Sequence, residues 1–402
     1  PMVKIVSRGY TSTADAYLTP HIREYLASFQ AGFDAGIKDV PVSFMQSDGG
    51  LARASNFSGF RAILSGPAGG YIGYAKTAYD EEGDRTPVVG FDMGGTSTDV
   101  SRFAGSVEQI FEARIAGVTI QAPQLDIHTV AAGGGSRFFF RDGLFVVGPE
   151  SARAHPGPVC YRKKGYLATT DGNLMLGRVR PEFFPAIFGP NEDECLDLAG
   201  TRTAFEKLTN DEVNPFYARE AAKNGAQPRV LTAEEVAYGF IKVANEAMCR
   251  PIREITQMRG YDITTHVLAC FGGAAGQHAC AIARNLGMKR VFVHRFASIL
   301  SAYGIGLANV VVEEQEPAAL ALDQADAHSV IGARHGALAA RAEDALVAEG
   351  FAGDRVLLER FLNLRYSGTD SGIMMLEPKA GAGDYAKEFE AQYVREFGFR
   401  LP

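Results

Sequence analysis

The 402-residue chain is 46% hydrophobic and 22% charged, with a formal net charge of −7, the balance of an ordinary globular protein. An acidic balance argues against nucleic acid or an anionic membrane surface as a partner, and no apolar run reads as a bilayer span or a secretory leader. The five cysteines form no CxxC pair, which points to reduced thiols in a cytoplasmic compartment rather than a disulfide framework.

At this length two or three domains can each bury a core. The first region, residues 1–85, opens extended and then becomes a helix with Leu18, Ile22, Tyr25, Leu26 and Phe29 on one face and Pro20 in its first turn. A strand from Val40 to Met45, the turn Ser47–Gly50 and the helix-opening SGPAGG follow, ahead of the charged linker DEEGDRT. The second region, residues 86–312, begins with two apolar runs around a glycine turn. It continues with a hairpin, FFFRDGLFVV, turning on Asp142-Gly143 as a type I′ turn. A long helix then starts at a capping box of Thr232 and Glu235, with Val236, Phe240, Val243 and Ala247 apolar and Pro251 kinking or splitting it. A strand–glycine–helix–strand unit runs from His266 to His294. The last region, residues 313–402, has an alanine-rich helix at 329–349 and a β-like LLERFLNLRYSG.

The stretch VVGFDMGGTSTDVSRF, Val88 to Phe103, carries the most chemistry. Asp92 ends one strand and Asp99 begins the next, an edge-facing one by its alternation. Gly94 and Gly95 supply positive φ or close approach in the turn, and Thr96, Ser97 and Thr98 add hydroxyls. Turn amides can converge on an anion. Two carboxylates beside a phosphate make sense when a cation lies between them. A purely structural hairpin remains the other reading, and the pattern is no P-loop. In HVLACFGGAAGQHACAIARNLG, Gly272, Gly273 and Gly276 separate a buried strand from a helix. Such a turn lets a ring or phosphate approach the backbone, or simply packs strand on helix.

Weaker candidates are Asp126 and His128, two apart on one strand face, as metal ligands, acid and base, or a buried pair. Ala131–Ser136 reads as an anion turn or a tight crossover; His155 and Cys160 as a zinc half-site or structure. Asp171 makes an Asx-turn or a cleft contact, and Arg250 and Arg253 grip an anion or join a surface ion-pair network with Glu246. Cys249, Cys270 and Cys280 read as buried thiols.

Five motifs in order, DMGGTSTDVS, APQLDIHTVAAGGGS, GPESARAHPGPVCY, ANEAMCRPIR and CFGGAAGQHACAIARNLG, resemble the hydantoinase A/5-oxoprolinase family, in wording closest to its ATP-hydrolysing eukaryotic members. The resemblance implies an α/β, actin/sugar-kinase-like fold of two lobes, incomplete at both ends. Residues 1–85 would end the first lobe, 86–312 form the nucleotide-binding lobe, and 313–402 start a C-terminal α/β region. It implies ATP and Mg2+ as cofactors. Gly94, Gly95, Thr96 and Thr98 would hold phosphate, Asp92 and Asp99 the metal, and Gly272, Gly273 and Gly276 would border the adenosine. The implied reaction opens 5-oxo-L-proline to L-glutamate in the γ-glutamyl cycle by phosphorylating the lactam oxygen. ATP-dependent hydantoin opening, ketone carboxylation or a non-catalytic nucleotide-binding subunit are the alternatives. The implied partners are an N-terminal lobe with a first phosphate loop, a hydantoinase B-like half, and a second copy in a homodimer, so this piece alone is expected to bind ATP weakly.

Overall fold

The structure is a computed structural model that describes residues 4–115, 117–370, 372–378 and 384–401. Chain contacts divide it into two compact units, one of residues 1–72, 107–126 and 305–402, the other of 73–106 and 127–304. The contiguous division at 85/86 and 312/313 does not follow these units. The loop DEEGDRT lies within the second of them, and a hairpin from the middle of the chain belongs to the first. Composition marks exposed loops, whereas units are defined by long-range packing that a linear reading cannot see.

In the first unit, a helix spans Ile5–Ala31 with Pro20 in its interior. The segment before Leu18 is therefore helical, correcting the extended reading. Its first half is polar, and partners within the unit hold it: Thr11 Oγ1 accepts from the Gln121 N–H at 2.9 Å, and Thr19 Oγ1 accepts from Gly59 N–H at 2.8 Å. Tertiary contacts decide such helices more than propensity does. The partner hairpin pairs Gln109–Ile115 with Val118–Leu125 antiparallel. A shorter one pairs Ser43–Met45 with Leu51–Arg53 across the expected Ser47–Gly50 turn. The alanine-rich helix spans Ala327–Ala348, and the β-like segment yields Phe361–Leu364 paired with Ile373–Leu376.

The second unit is built on a five-stranded sheet in the order Arg290–Phe292, Val267–Phe271, Val88–Met93, Thr98–Phe103, Ile127–Val130. The first three are parallel, and the last two run antiparallel to their neighbours. Thr98–Phe103 thus lies inside the sheet and not at its edge; Ile127–Val130 covers it. On one face Phe91, Met93 and Val100 pack with Met248, Ile252 and Ile282. On the other the Tyr74 ring lies against Gly90, where an added Cβ would collide with it. The small residue makes room for the ring.

The helix Ala233–Ile255 starts at the expected Thr232/Glu235 capping box and passes through Pro251 without splitting. A proline inside a helix costs about 3 kcal/mol, here offset by burial of Pro251 among the core residues. Its buried face is Val236, Ala237, Phe240, Ile241, Ala244, Asn245 and Met248, while Val243 is exposed. The expected Asp142-Gly143 turn has φ of 50° and 81°, both left-handed as a type I′ turn requires. It joins Ser136–Arg141 to Leu144–Ser151, and Phe138 from this hairpin stacks on Phe240 with ring centres 4.4 Å apart.

Candidate functional site

Strand pairing brings the two aspartates together. Asp92 and Asp99 are directly opposed across the antiparallel ladder that closes at the turn, so both side chains leave the sheet on one face. Asp92 accepts from Ser301 Oγ at 3.4 Å, and Asp99 from Thr129 Oγ1 at 2.5 Å. Burial, then the neighbouring Asp99 charge, pushes the Asp92 carboxyl up to about 6, and burial raises Asp99 as well. Two half-buried carboxylates facing one another resist ionising together. The donor set is all oxygen, as a hard divalent cation requires.

The turn between them is fixed from beneath. Gly134 N–H donates to Gly94 O at 3.0 Å, Gly135 N–H to Gly95 O at 2.6 Å, and Gly133 N–H to Ser136 Oγ at 2.9 Å. Every glycine amide of Ala131–Ser136 is therefore spent, and the segment is a tight crossover, not an anion turn. A Cβ on Gly133 would come within 2.6 to 2.7 Å of the Gly95 and Thr96 backbone. Thr98 is buried and its hydroxyl donates to Ala132 O at 2.5 Å, so it holds the turn in place and does not face a ligand. With the Gly94 and Gly95 carbonyls turned inward, the exposed side of the turn presents the N–H groups of Gly95 and Thr96, for which no acceptor is found among the described residues. Neither Gly94 nor Gly95 has positive φ, and a Cβ on Gly95 would meet nothing within 4 Å. Close approach from outside, not backbone strain, is the remaining use for glycine there.

The second glycine turn adjoins the first. Phe271 pairs with Asp92 in the parallel ladder, and Ala274 N–H donates to Met93 O at 2.9 Å. Gly272 has φ of +86°, and a Cβ on it would collide with Asp92 Oδ1. Gly272, Gly273 and Gly276 line a cavity of about 540 Å³ whose wall includes Arg178, Gln277 and Arg284. A Cβ on Gly273 or Gly276 would project into open space. Cys280 is exposed on this wall, correcting its reading as buried, while burial pushes the Cys270 thiol up to about 12. Asp92 thus adjoins Gly272, and Asp99, Gly94, Gly95 and Thr96 belong to the same hairpin as Asp92, while the cavity wall with Gly272, Gly273 and Gly276 includes none of these five.

The other candidates lie elsewhere. Asp126 precedes the strand that carries His128 and is buried in the first unit, its N–H on Glu108 O at 2.9 Å. His128 is opposite Val100, one residue out of step with Asp99, which places it on the other face of the sheet. There its Nδ1 is 3.8 Å from Glu254 Oε2 and its Nε2 3.5 Å from Arg259. His155 is exposed and Cys160 fully buried, and no group of three or more His, Cys, Asp or Glu side chains that could hold a metal ion occurs among the described residues. Asp171 accepts from Val159, Cys160 and Ala168 N–H at 2.9 to 3.1 Å, tying the Val159–Tyr161 turn to the helix Thr169–Met175 in which it lies. Arg253 pairs with Glu246 on the helix surface. Sequence reading missed Thr129 and Arg284, which lie inside the quoted motifs without being singled out, and Ser301 and Arg178, which lie outside them. His278 carried a signal, a histidine two positions after Gly276.

A strand–turn–strand with opposed carboxylates, beside a glycine turn at the end of a parallel ladder, places this site at the strand ends of an α/β sheet. A family profile described as Hydantoinase/oxoprolinase matches residues 8–314, and the chain belongs to that family. It is 55% identical to a 5-oxoprolinase of Dictyostelium discoideum, over 100% of this chain and 32% of that protein. It is also 55% identical to 5-oxoprolinase 1 of Arabidopsis thaliana, over 100% of this chain and 31% of that protein. The crystal structure of the ATP-dependent caprolactamase from Pseudomonas jessenii superposes with a TM-score of 0.78 at 27% identity, covering 100% of this chain and 57% of that one. The chain spans about a third of the length of these curated relatives. Among the described residues, no helix is long and apolar enough to cross a membrane.

Proposed function

We propose that this chain is the phosphate- and metal-binding segment of a longer ATP-dependent 5-oxoprolinase, with the actin/sugar-kinase type of two-lobed fold. The observation that carries the reading is the opposed Asp92–Asp99 pair under the outward-facing Gly95 and Thr96 amides, joined through Gly272 to the glycine-walled cavity. Just over half of the residues are identical to those of proteins named 5-oxoprolinase, and the solved relative is named an ATP-dependent enzyme for another lactam.

Asp92 and Asp99 fit a magnesium ion, which when bound would neutralise their charge and that of the phosphates. The rest is positioning by the chain's own groups. Gly95 and Thr96 offer N–H donors to phosphate oxygens, and Thr129 and Ser301 hold the two carboxylates in orientation. The Gly133–Gly135 crossover keeps the turn from moving, so the donors are aimed before substrate arrives. The bare Gly273 and Gly276 backbone lets a flat base lie close, and Arg178 and Arg284 bring positive charge to a cavity wall without an acid. A lactam is a poor electrophile, and transfer of a phosphoryl group to its oxygen makes the ring carbon open to water. Such transfer needs alignment and charge neutralisation more than covalent help.

The test is 5-oxoproline-dependent phosphate release by the complete enzyme, with MgATP titrated calorimetrically into wild type and Asp92→Asn. Loss of both turnover and nucleotide affinity in the variant is expected. Turnover that survives Asp92→Asn would remove the metal role and the reading with it.

A further inference from the structure

Behind the glycine turn lies a polar cluster sealed from water. His278 and Asn173 are fully buried, and Asn245 is 3% exposed. His278 Nδ1 is 2.6 Å from Asn245 Oδ1, and Asn173 Nδ2 is 2.9 Å from His278 Nε2. An amide oxygen can only accept, so Nδ1 carries the proton and donates it to Asn245, while Nε2 accepts from Asn173. The imidazole is fully used in its neutral form. Burial, helped by the charge of Arg178, holds its pKa down to about 3.

The three residues come from three separate elements. Asn173 sits in the helix Thr169–Met175, Asn245 in the helix Ala233–Ile255, and His278 caps the helix Ala279–Leu286. His278 directly follows Gly276 and Gln277, which line the cavity, and its N–H donates to Ala275 O at 3.0 Å. Apolar side chains could fill the same space without directional demands. Two bonds on opposite ends of a rigid ring instead fix the place of the backbone on which the ring is mounted.

We infer that His278 is a positioning residue whose bonds to Asn173 and Asn245 set the Gly272–Gln277 turn against the sheet in the form that accepts a nucleotide. This rests on the nucleotide reading of the cavity. No side-chain contact between His278 and ligand is involved; it acts through the backbone of Gly276 and Gln277.

The test uses three variants. His278→Leu removes both bonds at similar volume, His278→Asn keeps a group at the Nδ1 position for Asn245, and His278→Gln keeps one at the Nε2 position for Asn173. Amide hydrogen exchange is measured on the ligand-free 402-residue chain, and MgATP affinity on the complete enzyme. Expected for His278→Leu is exchange at residues 272–277 about tenfold faster or more, with the Ala233–Ile255 helix unchanged, and affinity weakened by about tenfold. One of the two amide variants should recover part of both effects. Unchanged exchange at the turn, an equal rise throughout the second unit, or no recovery by either amide variant would each overturn the proposal. Should His278→Leu fail to fold, the comparison of His278→Asn and His278→Gln with wild type decides on the same criteria. If wild-type enzyme does not bind MgATP, the nucleotide reading falls, and the exchange measurement still judges the clamp.

Discussion

Asp92 and Asp99 stand directly opposite one another across the ladder, and both carboxyls are raised above their usual range. In the bare protein this is a repulsive pair; on the proposed reading a cation makes it a clamp. Asp99→Asn keeps an acceptor for Thr129 and removes one of the two charges. Its thermal stability without metal should therefore equal or slightly exceed that of wild type, by up to about 1 kcal/mol. Turnover in the complete enzyme should fall at least about a hundredfold, the scale of a lost electrostatic stabiliser. Equal losses of stability and activity would make Asp99 structural.

Gly273 and Gly276 have room beside them in the cavity and no positive φ. Gly273→Leu should fold with stability within about 1 kcal/mol of wild type, since glycine replacement at a compatible backbone position stiffens the unfolded chain. The new side chain would occupy the space assigned to the nucleotide. Calorimetry with MgATP should register a loss of affinity beyond tenfold, and unaltered binding would move the base to another wall.

Gly95 and Gly133 face each other through the turn, and their substitutions should behave oppositely. A Cβ on Gly133 overlaps the Gly95 and Thr96 backbone, so Gly133→Ala should cost about 1–3 kcal/mol as overpacking does. A Cβ on Gly95 meets nothing, so Gly95→Ala should melt near wild type and lose phosphate affinity through crowding of the ligand. Chemical denaturation of both variants, paired with nucleotide titration, separates the roles.

Much of the second unit could be read from local signals. An apolar run and an alternating one about a glycine pair mark the Val88–Phe103 hairpin, the Asp-Gly pair the second hairpin, and Thr232 with Glu235 the start of the long helix. These features are set by neighbours a few residues apart. The pairing of Phe271 with Asp92 joins residues 179 positions apart, and no local pattern encodes it; family resemblance supplied the expectation of a shared site. His128 was misplaced for a different reason. Spacing of two suggests one strand face, but the strand begins at Ile127 and its register against Val100 turns His128 away from Asp99. The polar first half of the Ile5–Ala31 helix was illegible because its partner strand lies about a hundred residues on, Thr11 meeting Gln121.

In the first unit Glu313 and Asp48 form a partly buried acidic pair beside Arg61. Arg61 Nη2 lies 4.0 Å from Glu313 Oε2, and Asp48 Oδ1 accepts from Gly50 N–H at 2.8 Å. Burial pushes the Glu313 carboxyl up to about 7 from its ordinary 4.5, against the opposing pull of Arg61, and Asp48 is raised as well. The folded state therefore holds a proton between about pH 4.5 and 7 that the unfolded chain has released. Since the folded state binds more protons in this window, stability falls as pH rises through it and levels off above pH 7. A tenfold difference in proton affinity between the folded and unfolded states corresponds to about 1.4 kcal/mol; with the side chain a quarter exposed, about 1–3 kcal/mol is the expected span. Glu313→Gln removes the titration while keeping the shape. Urea denaturation from pH 4.5 to 8 should give curves for wild type and Glu313→Gln that meet at the acidic end and separate towards neutrality, the variant being the more stable. Depressed, exposed carboxylates such as Asp84 act with the opposite sign and at lower pH, and they are common to both proteins. Parallel curves would mean that Glu313 titrates in the folded state as it does in the unfolded one.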